Sequence, residues 1–319
     1  MTAIQTSPTQ QMQAIVSIRS GPPEVLQLQE VAKPAPKANE VLIRVHAATV
    51  TVGDVMLRKL PGWMWLPMRL LSPHRRKRIP GHELAGEVVE IGNAVTRFAI
   101  GDQVFGTTTG LSVGANAEYV CVPETWPAGV LARKPANLSY AEAAALPVGG
   151  MTALQLLRKG KLQAGHAKRV LIYGASGSVG SMAVQLARHL GAEVTGVSSG
   201  ANAALVRSLG AQHVVDYTKE DFTELGETYD LIFDAVGKGS AARSKRALKP
   251  GGRYISVATL TRENTDDLNF IRELAEAGAV KAVIDRRYPL AQAADAHRYV
   301  ETGRKRGSVV LTIEPSPSH

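Results

Sequence analysis

The chain lacks the features that define several protein classes. It holds one cysteine, Cys121, among 319 residues, so no internal disulfide can form. A chain so short of thiols suits a reducing compartment. Its start, "MTAIQTSPTQQ", has neither the cationic opening nor the apolar run of a secretory signal. The most apolar stretch, "LPGWMWLPMRLL" from Leu60 to Leu71, is too short to span a bilayer and carries Pro61, Pro67 and Arg69. These absences predict a cytoplasmic protein with no membrane segment. No internal repeat stands out. The +9 net charge is spread along the chain rather than gathered into an arm, which argues against nucleic-acid binding and fits an anionic ligand.

What remains is a globular composition, 45% hydrophobic and 20% charged, at a length that suits two domains. From Ala14 to about Val122 the apolar runs are short and β-like: "AIVSI", "VLIRVHAATV", "AGEVVEIG", "DQVFG" and "AEYVCVP". Turn-rich segments separate them, which predicts a small, mostly antiparallel β-domain. The texture changes at "NLSYAEAAALP", where Asn137 or Ser139 offers a helix cap. From Arg169 strands and helices alternate, beginning "RVLIYGA" and ending "VKAVID". Six strands with intervening helices predict an α/β, doubly wound parallel sheet of the Rossmann type. The tail, "YPLAQAADAHRYVETGRKRGSVVLTI", reads as a helix and strand that return to the first domain. The expected domains are 12–146 with 286–319, and 147–285.

The segment "LIYGASGSVGSMAVQLARHLGAEVTGVSS" carries the nucleotide signal. An apolar strand runs into Gly174, Ala175, Ser176, Gly177, Ser178, Val179 and Gly180, and a helix follows at once. Val179, Met182, Ala183, Leu186, Ala187 and Leu190 give that helix one apolar face. The spacing is Gly-x-x-Gly-x-x-Gly, and the strand–loop–helix setting marks a turn whose backbone approaches a pyrophosphate at a helix start. The next strand ends in Ser198 and Ser199, where NAD-preferring chains usually carry an acid about 20 residues past the motif. Hydroxyls can donate to a 2′-phosphate that a carboxylate would repel, so NADPH is expected ahead of NADH. Tyr217, ending "VVDY", is a further candidate for the same phosphate.

Together these stretches, with "NEVLIRVHAATVTVGD", "GHELAGEVVEIGNAVTRFAIGDQVFG", "LPVGGMTALQLL", "FDAVG", "LKPGGRY" and "AHRYVETGRKRGSVVL", carry a family resemblance. The chain resembles the zinc-independent quinone oxidoreductase branch of the medium-chain dehydrogenase/reductase superfamily. That resemblance implies a GroES-like β-domain beside the Rossmann domain, hydride transfer in the cleft between them, a small-molecule acceptor and a homodimer. It also implies that Thr152, Val236 and Val257, Ala258 and Thr259 lie near the ribose and nicotinamide. Three departures stand out: Ala201 replaces a basic residue often paired with the 2′-phosphate, Thr51 and Val52 replace an Asn-Pro, and Ser308 replaces a lysine.

A catalytic zinc of this superfamily needs Cys, His and a third ligand. The histidine is present as His82 in "IPGHELAG", but the first cysteine aligns with Thr51, and no Cys, His or acid lies between Leu146 and Gly150. A zinc-free protein is expected. His82 then reads either as a hydrogen-bonded residue of the domain junction or as a proton donor. Thr51 reads as a strand-end residue or as a hydrogen-bond donor to a developing oxyanion. Trp63, Met64, Trp65 and Met68 read as an apolar lid or a packed loop, and His74–Arg78 as a solvated turn. The function expected is NADPH-dependent hydride transfer to a quinone or α,β-unsaturated carbonyl. A zinc alcohol dehydrogenase and a non-enzymatic NADPH-binding protein are the alternatives.

Overall fold

The computed structural model describes residues 10–60, 79–111, 114–163, 168–237, 239 and 241–314. The lid candidates Trp63, Met64, Trp65 and Met68, and the run 74–78, lie outside them. In chain order the first elements are β1 (Gln11–Ser17), β2 (Leu26–Ala32), β3 (Glu40–Val50), α1 (Val52–Lys59) and β4 (Glu83–Ile91). Then come β5 (Gln103–Thr107), β6 (Tyr119–Pro123), β7 (Leu131–Arg133), α2 (Tyr140–Ala144) and α3 (Pro147–Lys159). The alternating region holds β8 (Arg169–Tyr173), α4 (Ser178–His189), β9 (Glu193–Ser198), α5 (Ala203–Ser208), β10 (His213–Asp216) and β11 (Tyr229–Asp234). It is followed by α6 (Ala241–Ser244), β12 (Leu248–Ser256), α7 (Thr265–Glu276), β13 (Ile284–Pro289), α8 (Ala293–Glu301) and β14 (Ser308–Thr312).

Two compact units divide the chain. The first comprises Met1–Arg133, Arg287–Gly303 and Val310–His319, and the second Lys134–Arg286 and Arg304–Val309. The sequence reading set its breaks at 146 and 286. The earlier break follows from side-chain bonds of the intervening segment: Asn137 Nδ2 donates to the carbonyls of Ala275 and Glu276 at 3.2 and 3.3 Å. Ser139, one of the two expected caps, accepts from the Glu142 N–H and opens α2.

The β-rich unit is built on an antiparallel pair, β3 and β4, in which Ala48 faces Leu84. The sheet runs β13-β14-β3-β4-β5-β7, with β6 also on β3, and β1 pairs β2 separately. Strand alternation buries Val41, Ile43 and Val45 of β3 and Leu84 and Val88 of β4.

The second unit is a parallel sheet in the order β10-β9-β8-β11-β12. Its central strand reads Val170, Leu171, Ile172, all fully buried, as expected where helices cover both faces. The order reverses direction between β8 and β11, so the crevice beyond their carboxyl ends is the topological switch point. Among the described residues five strands form this sheet, not the expected six. "VKAVID" yields only the start of β13, which joins β14 in the other sheet. Arg286 and Arg287 of β13 are exposed, so this strand does not suit burial on both faces.

His297 of α8 is fully buried, and neither ring nitrogen has a hydrogen-bond partner among the described residues. Burial pushes its pKa down to about 4, with Asp54 opposing and Arg58 assisting. The unfolded chain takes up this proton near pH 6.5 and the folded chain only near 4, so stability is lost as pH falls through that window. Urea midpoints measured from pH 7 to pH 4 are expected to record a loss on the order of 3 kcal/mol from this residue. His297→Met should flatten that part of the slope; an unchanged slope would assign it elsewhere.

Candidate functional site

In the β-rich unit, the site grows from the adjoining ends of β3 and β4. Thr51 follows β3 and caps α1: its hydroxyl accepts from the Asp54 N–H at 3.1 Å, and its own N–H donates to Asp54 Oδ2 at 2.8 Å. This reciprocal box leaves the Asp54 carboxylate anchored beneath the first turn. Thr51 Oγ1 also donates to Asp54 Oδ2 at 2.6 Å. The hydroxyl considered for an oxyanion therefore points at a carboxylate.

His82 precedes β4, and its Nδ1 lies 2.6 Å from Asp54 Oδ1. Asp54 is buried while the imidazole is a quarter exposed. Burial alone would raise the Asp54 pKa, but His82 and Thr51 together hold it below the ordinary carboxylate value. An ionised Asp54 can only accept here, so it fixes a proton on His82 Nδ1. The backbone of His82 is also held, with its carbonyl accepting from the Thr108 N–H at 2.7 Å. Glu83 is buried and accepts from Thr49 Oγ1 on β3. The structure thus brings Thr51 and His82 together through Asp54.

These donors do not suit a zinc ion. Among the described residues no group of three or more His, Cys, Asp or Glu side chains could hold a metal. Thr51 and His82 Nδ1 are directed at Asp54. The lone thiol, Cys121 on β6, is pushed up to about 12 by burial and by Glu40 and Glu90, far from the thiolate a metal requires.

In the second unit the Gly-rich loop links β8 to α4, and its glycines have separate duties. Gly174 adopts φ +79°, a left-handed turn that side chains rarely tolerate. A Cβ on Gly180 would lie 2.0 Å from the Gly174 carbonyl oxygen, so this glycine is required by helix-on-strand packing. A Cβ on Gly177 would meet only that same oxygen, at 3.5 Å, and its φ of −79° suits any residue. The fold leaves room there that a side chain would fill, which fits close approach by a phosphate. The N–H groups of Ser178, Val179 and Gly180 precede the first intrahelical bond, made by Ser181 to Gly177, so the helix start presents donors to an anion.

Apart from Thr152, the other cofactor candidates of this unit lie at or just after strand ends. Val236 follows β11 and lies over Gly174, whose added Cβ would meet its Cγ2 at 2.4 Å. Val257, Ala258 and Thr259 follow β12, with Val257 N–H bonded to the Asp234 carbonyl at 3.0 Å. Thr152 sits half-buried in α3. Ser198 and Ser199 differ: Ser198 is buried and its hydroxyl donates to the Ser199 carbonyl at 3.1 Å, while Ser199 is partly exposed. Tyr217 is 56% exposed, with its N–H bonded to the Ser198 carbonyl.

Two carboxylates escaped the sequence reading. Asp234 ends β11 buried, and its side chain accepts from the N–H groups of Val236, Gly237 and Gly239 and from Tyr254 Oη at 2.8–3.0 Å. It shapes the loop that carries Val236, and the only sequence signal is an Asp before a turn. Burial and this bond push the Tyr254 phenol up to about 12. Asp216 ends β10 and lies against Gly200, where an added Cβ would meet its Oδ2 at 2.4 Å. Its pKa is lowered by Thr218 and by the Gly200 backbone. Beside these strand ends opens a cavity of about 530 Å³ lined by Tyr173, Tyr217, Phe222, Asp234, Arg243 and Tyr254 among others. Charged side chains, Lys219, Glu220, Asp221 and Glu224, share the lining with these rings.

A parallel sheet with a glycine cradle at its switch point, and a separate unit with a GroES-like sheet, define a nucleotide-dependent oxidoreductase. The family comparisons agree. Residues 37–133 match the alcohol dehydrogenase GroES-like domain, and residues 178–280 and 255–311 match zinc-binding dehydrogenase models. The chain belongs to the medium-chain dehydrogenase/reductase superfamily and is related to its quinone oxidoreductases. It is 36% identical over 320 residues to a 2-methylene-furan-3-one reductase of Solanum lycopersicum, covering 93% of this chain and 77% of that protein. It is 32% identical to the chloroplastic NADPH-dependent alkenal/one oxidoreductase of Arabidopsis thaliana, covering 94% and 79%. The quinone oxidoreductase structure from Coxiella burnetii superposes with a TM-score of 0.84 at 30% identity, covering 96% of this chain and all of that one. Among the described residues no helix is long and apolar enough to cross a membrane.

Proposed function

We propose that the protein is an NADPH-dependent, zinc-free reductase of α,β-unsaturated carbonyl compounds or quinones. The observation that carries this reading is His82 held at 2.6 Å by a buried, ionised Asp54, a pairing that suits proton donation rather than metal binding. When bound, the reduced nicotinamide supplies the hydride. The chain's own part is to hold the dinucleotide and provide the matching proton. The Gly174–Gly180 loop and the α4 start receive the pyrophosphate, the aromatic cavity receives the adenosine, and Ser199 and Tyr217 favour a 2′-phosphate. Asp54 stabilises His82 as an imidazolium, and His82 Nε2 passes the proton to the carbanion or oxyanion that hydride addition creates. Thr51 acts as a positioning residue through Asp54. Cytoplasmic residence and a dimer belong to the same reading, supported by the thiol-poor composition and the family.

The names of two relatives, a methylene-furanone reductase and an alkenal/one oxidoreductase, favour an enone over a quinone. The test is NADPH and NADH consumption with one enone and one ortho-quinone in the presence of a strong chelator. Turnover that survives chelation supports the proposal. Turnover seen only after zinc is restored overturns it in favour of an alcohol dehydrogenase. Tight NADPH binding with no turnover of either acceptor assigns a binding role instead.

A further inference from the structure

Both sides of the crevice beyond β8 and β11 are braced by residues distant in the sequence. On the glycine-loop side the brace comes from residues 304–309. Gly307 N–H donates to the Ser176 carbonyl at 2.7 Å, and Gly177 and Gly307 form an isolated parallel bridge. On the other side, the loop from β12 to α7 is tied to the last turns of α3. Gln155 pairs with the backbone of Arg262 through both edges of its carboxamide. Its Oε1 accepts from the Arg262 N–H at 3.0 Å, and its Nε2 donates to the Arg262 carbonyl. Nε2 also donates to Asp267 Oδ2 at 2.6 Å. The buried Asp267 is itself held by Arg158 and, at 2.6 Å, by Asn264 Nδ2. Lys159 Nζ donates to the Leu260 carbonyl.

A side chain that bonds both the N–H and the carbonyl of one residue fixes its position and direction, as a neighbouring strand does. Starting α7 does not require this, because Asn264 already caps that helix by accepting from the Asp267 N–H at 2.8 Å. Leu260 is 76% exposed and Arg262 is exposed too. Apolar burial therefore contributes little at these positions, and the polar clasp sets the course of the loop. Thr152, Gln155 and Lys159 lie at i, i+3 and i+7 of α3 and share one face. The same helix starts against the glycine loop, since a Cβ on Gly149 would meet the Ser178 carbonyl oxygen at 3.1 Å. One helix thus links the anion cradle to the loop that carries residues 257–259.

With its pyrophosphate over β8, a dinucleotide extends its two nucleosides to opposite sides along the carboxyl edge of the sheet. On the nucleotide reading proposed above, Ser199 and Tyr217, which follow β9 and β10, take the 2′-phosphate. The nicotinamide then falls on the side of β11 and β12. We propose that Gln155 is a positioning residue for the nicotinamide. Its clasp on Arg262 holds the β12–α7 loop where residues 257–259 meet that ring.

Calorimetric titration of the full-length protein and of Gln155→Leu and Gln155→Glu tests the proposal. The probes are NADPH and 2′-phospho-ADP-ribose, which lacks the nicotinamide. Gln155→Leu removes all three bonds and is expected to weaken NADPH about fivefold or more. The nicotinamide-free probe should bind within about twofold of its affinity for the unmodified protein. The fluorescence of an immobilised reduced nicotinamide should fall in the same variant. Gln155→Glu supplies an independent readout. Ionised, it faces Asp267 as a like charge, which also raises its pKa; protonated, its hydroxyl replaces Nε2 as a donor. Its ratio of NADPH to 2′-phospho-ADP-ribose affinity should therefore recover between about pH 8 and pH 6, while that of Gln155→Leu stays low. Equal weakening of both probes, or a lower melting temperature with both affinities unchanged, would make Gln155 a structural tie and overturn the inference. A Gln155→Glu ratio indifferent to pH would overturn it as well. If the unmodified protein bound neither probe, the nucleotide reading itself would fall, and this inference with it.

Discussion

Asp54→Asn is expected to lower kcat for an enone by a factor on the order of a hundred or more, while NADPH affinity stays within about twofold. The substitution keeps the shape and removes the charge. Asparagine can still accept from the Thr51 N–H, so the α1 cap is largely preserved, but an ionised group no longer faces His82 Nδ1. The imidazolium loses its counter-charge and the ring its fixed orientation. Because hydride addition to an enone leaves a carbanion that needs a proton, that acceptor suffers most. An ortho-quinone, whose reduced oxygens exchange protons with solvent, should lose less. His82→Gln should cause a similar loss, and the double variant little more than either alone, since residues acting as one unit are not additive. Steady-state kinetics with both acceptors checks this. Equal effects on both, or independent losses at the two positions, would remove the proton-donor role.

The second large effect separates two glycines three residues apart but alike in the motif. Gly180→Ala would set a Cβ 2.0 Å from the Gly174 carbonyl oxygen and 2.9 Å from the Ala175 Cα, and those backbone atoms have no cheap escape. Overpacking of this kind costs about 1–3 kcal/mol, so the melting temperature should fall by about 5 °C or more and cofactor affinity with it. Gly177→Ala meets nothing closer than 3.5 Å. It should melt within about 2 °C of the unmodified protein, yet bind NADPH at least about tenfold more weakly because the methyl group occupies the anion's approach. Paired thermal melts and titrations decide this. If Gly177→Ala binds normally, the phosphate does not approach at Gly177.

Local patterns carried much of this into the sequence. The Gly174–Gly180 turn and the apolar face of α4 depend on residues close in the chain, and their spacing alone betrays them. Ser139 could be seen as a cap for the same reason. Thr51 was visible too, but its alignment with a metal-site position hides the simpler fact that Thr-x-x-Asp also starts a helix. The sixth parallel strand was over-read, since a short apolar run does not reveal which sheet it will join. Gln155 had no local signal at all: it meets Arg262 across 107 positions and sits in a run, "ALQLL", whose composition speaks only of packing. The cavity was hidden similarly, its aromatic walls drawn from separate elements.

The Gly177–Gly307 bridge has a consequence for biosynthesis. The loop that receives the pyrophosphate is made early, yet the segment that braces it leaves the ribosome more than a hundred residues later. A nascent chain can form β8, α4 and their neighbours as local units, but its nucleotide cradle stays open on one side until residues 304–309 emerge. At roughly 5–20 residues per second that interval lasts several seconds. On the proposed nucleotide reading, a ribosome-stalled chain halted before residue 304 is expected to expose the glycine loop without retaining a dinucleotide.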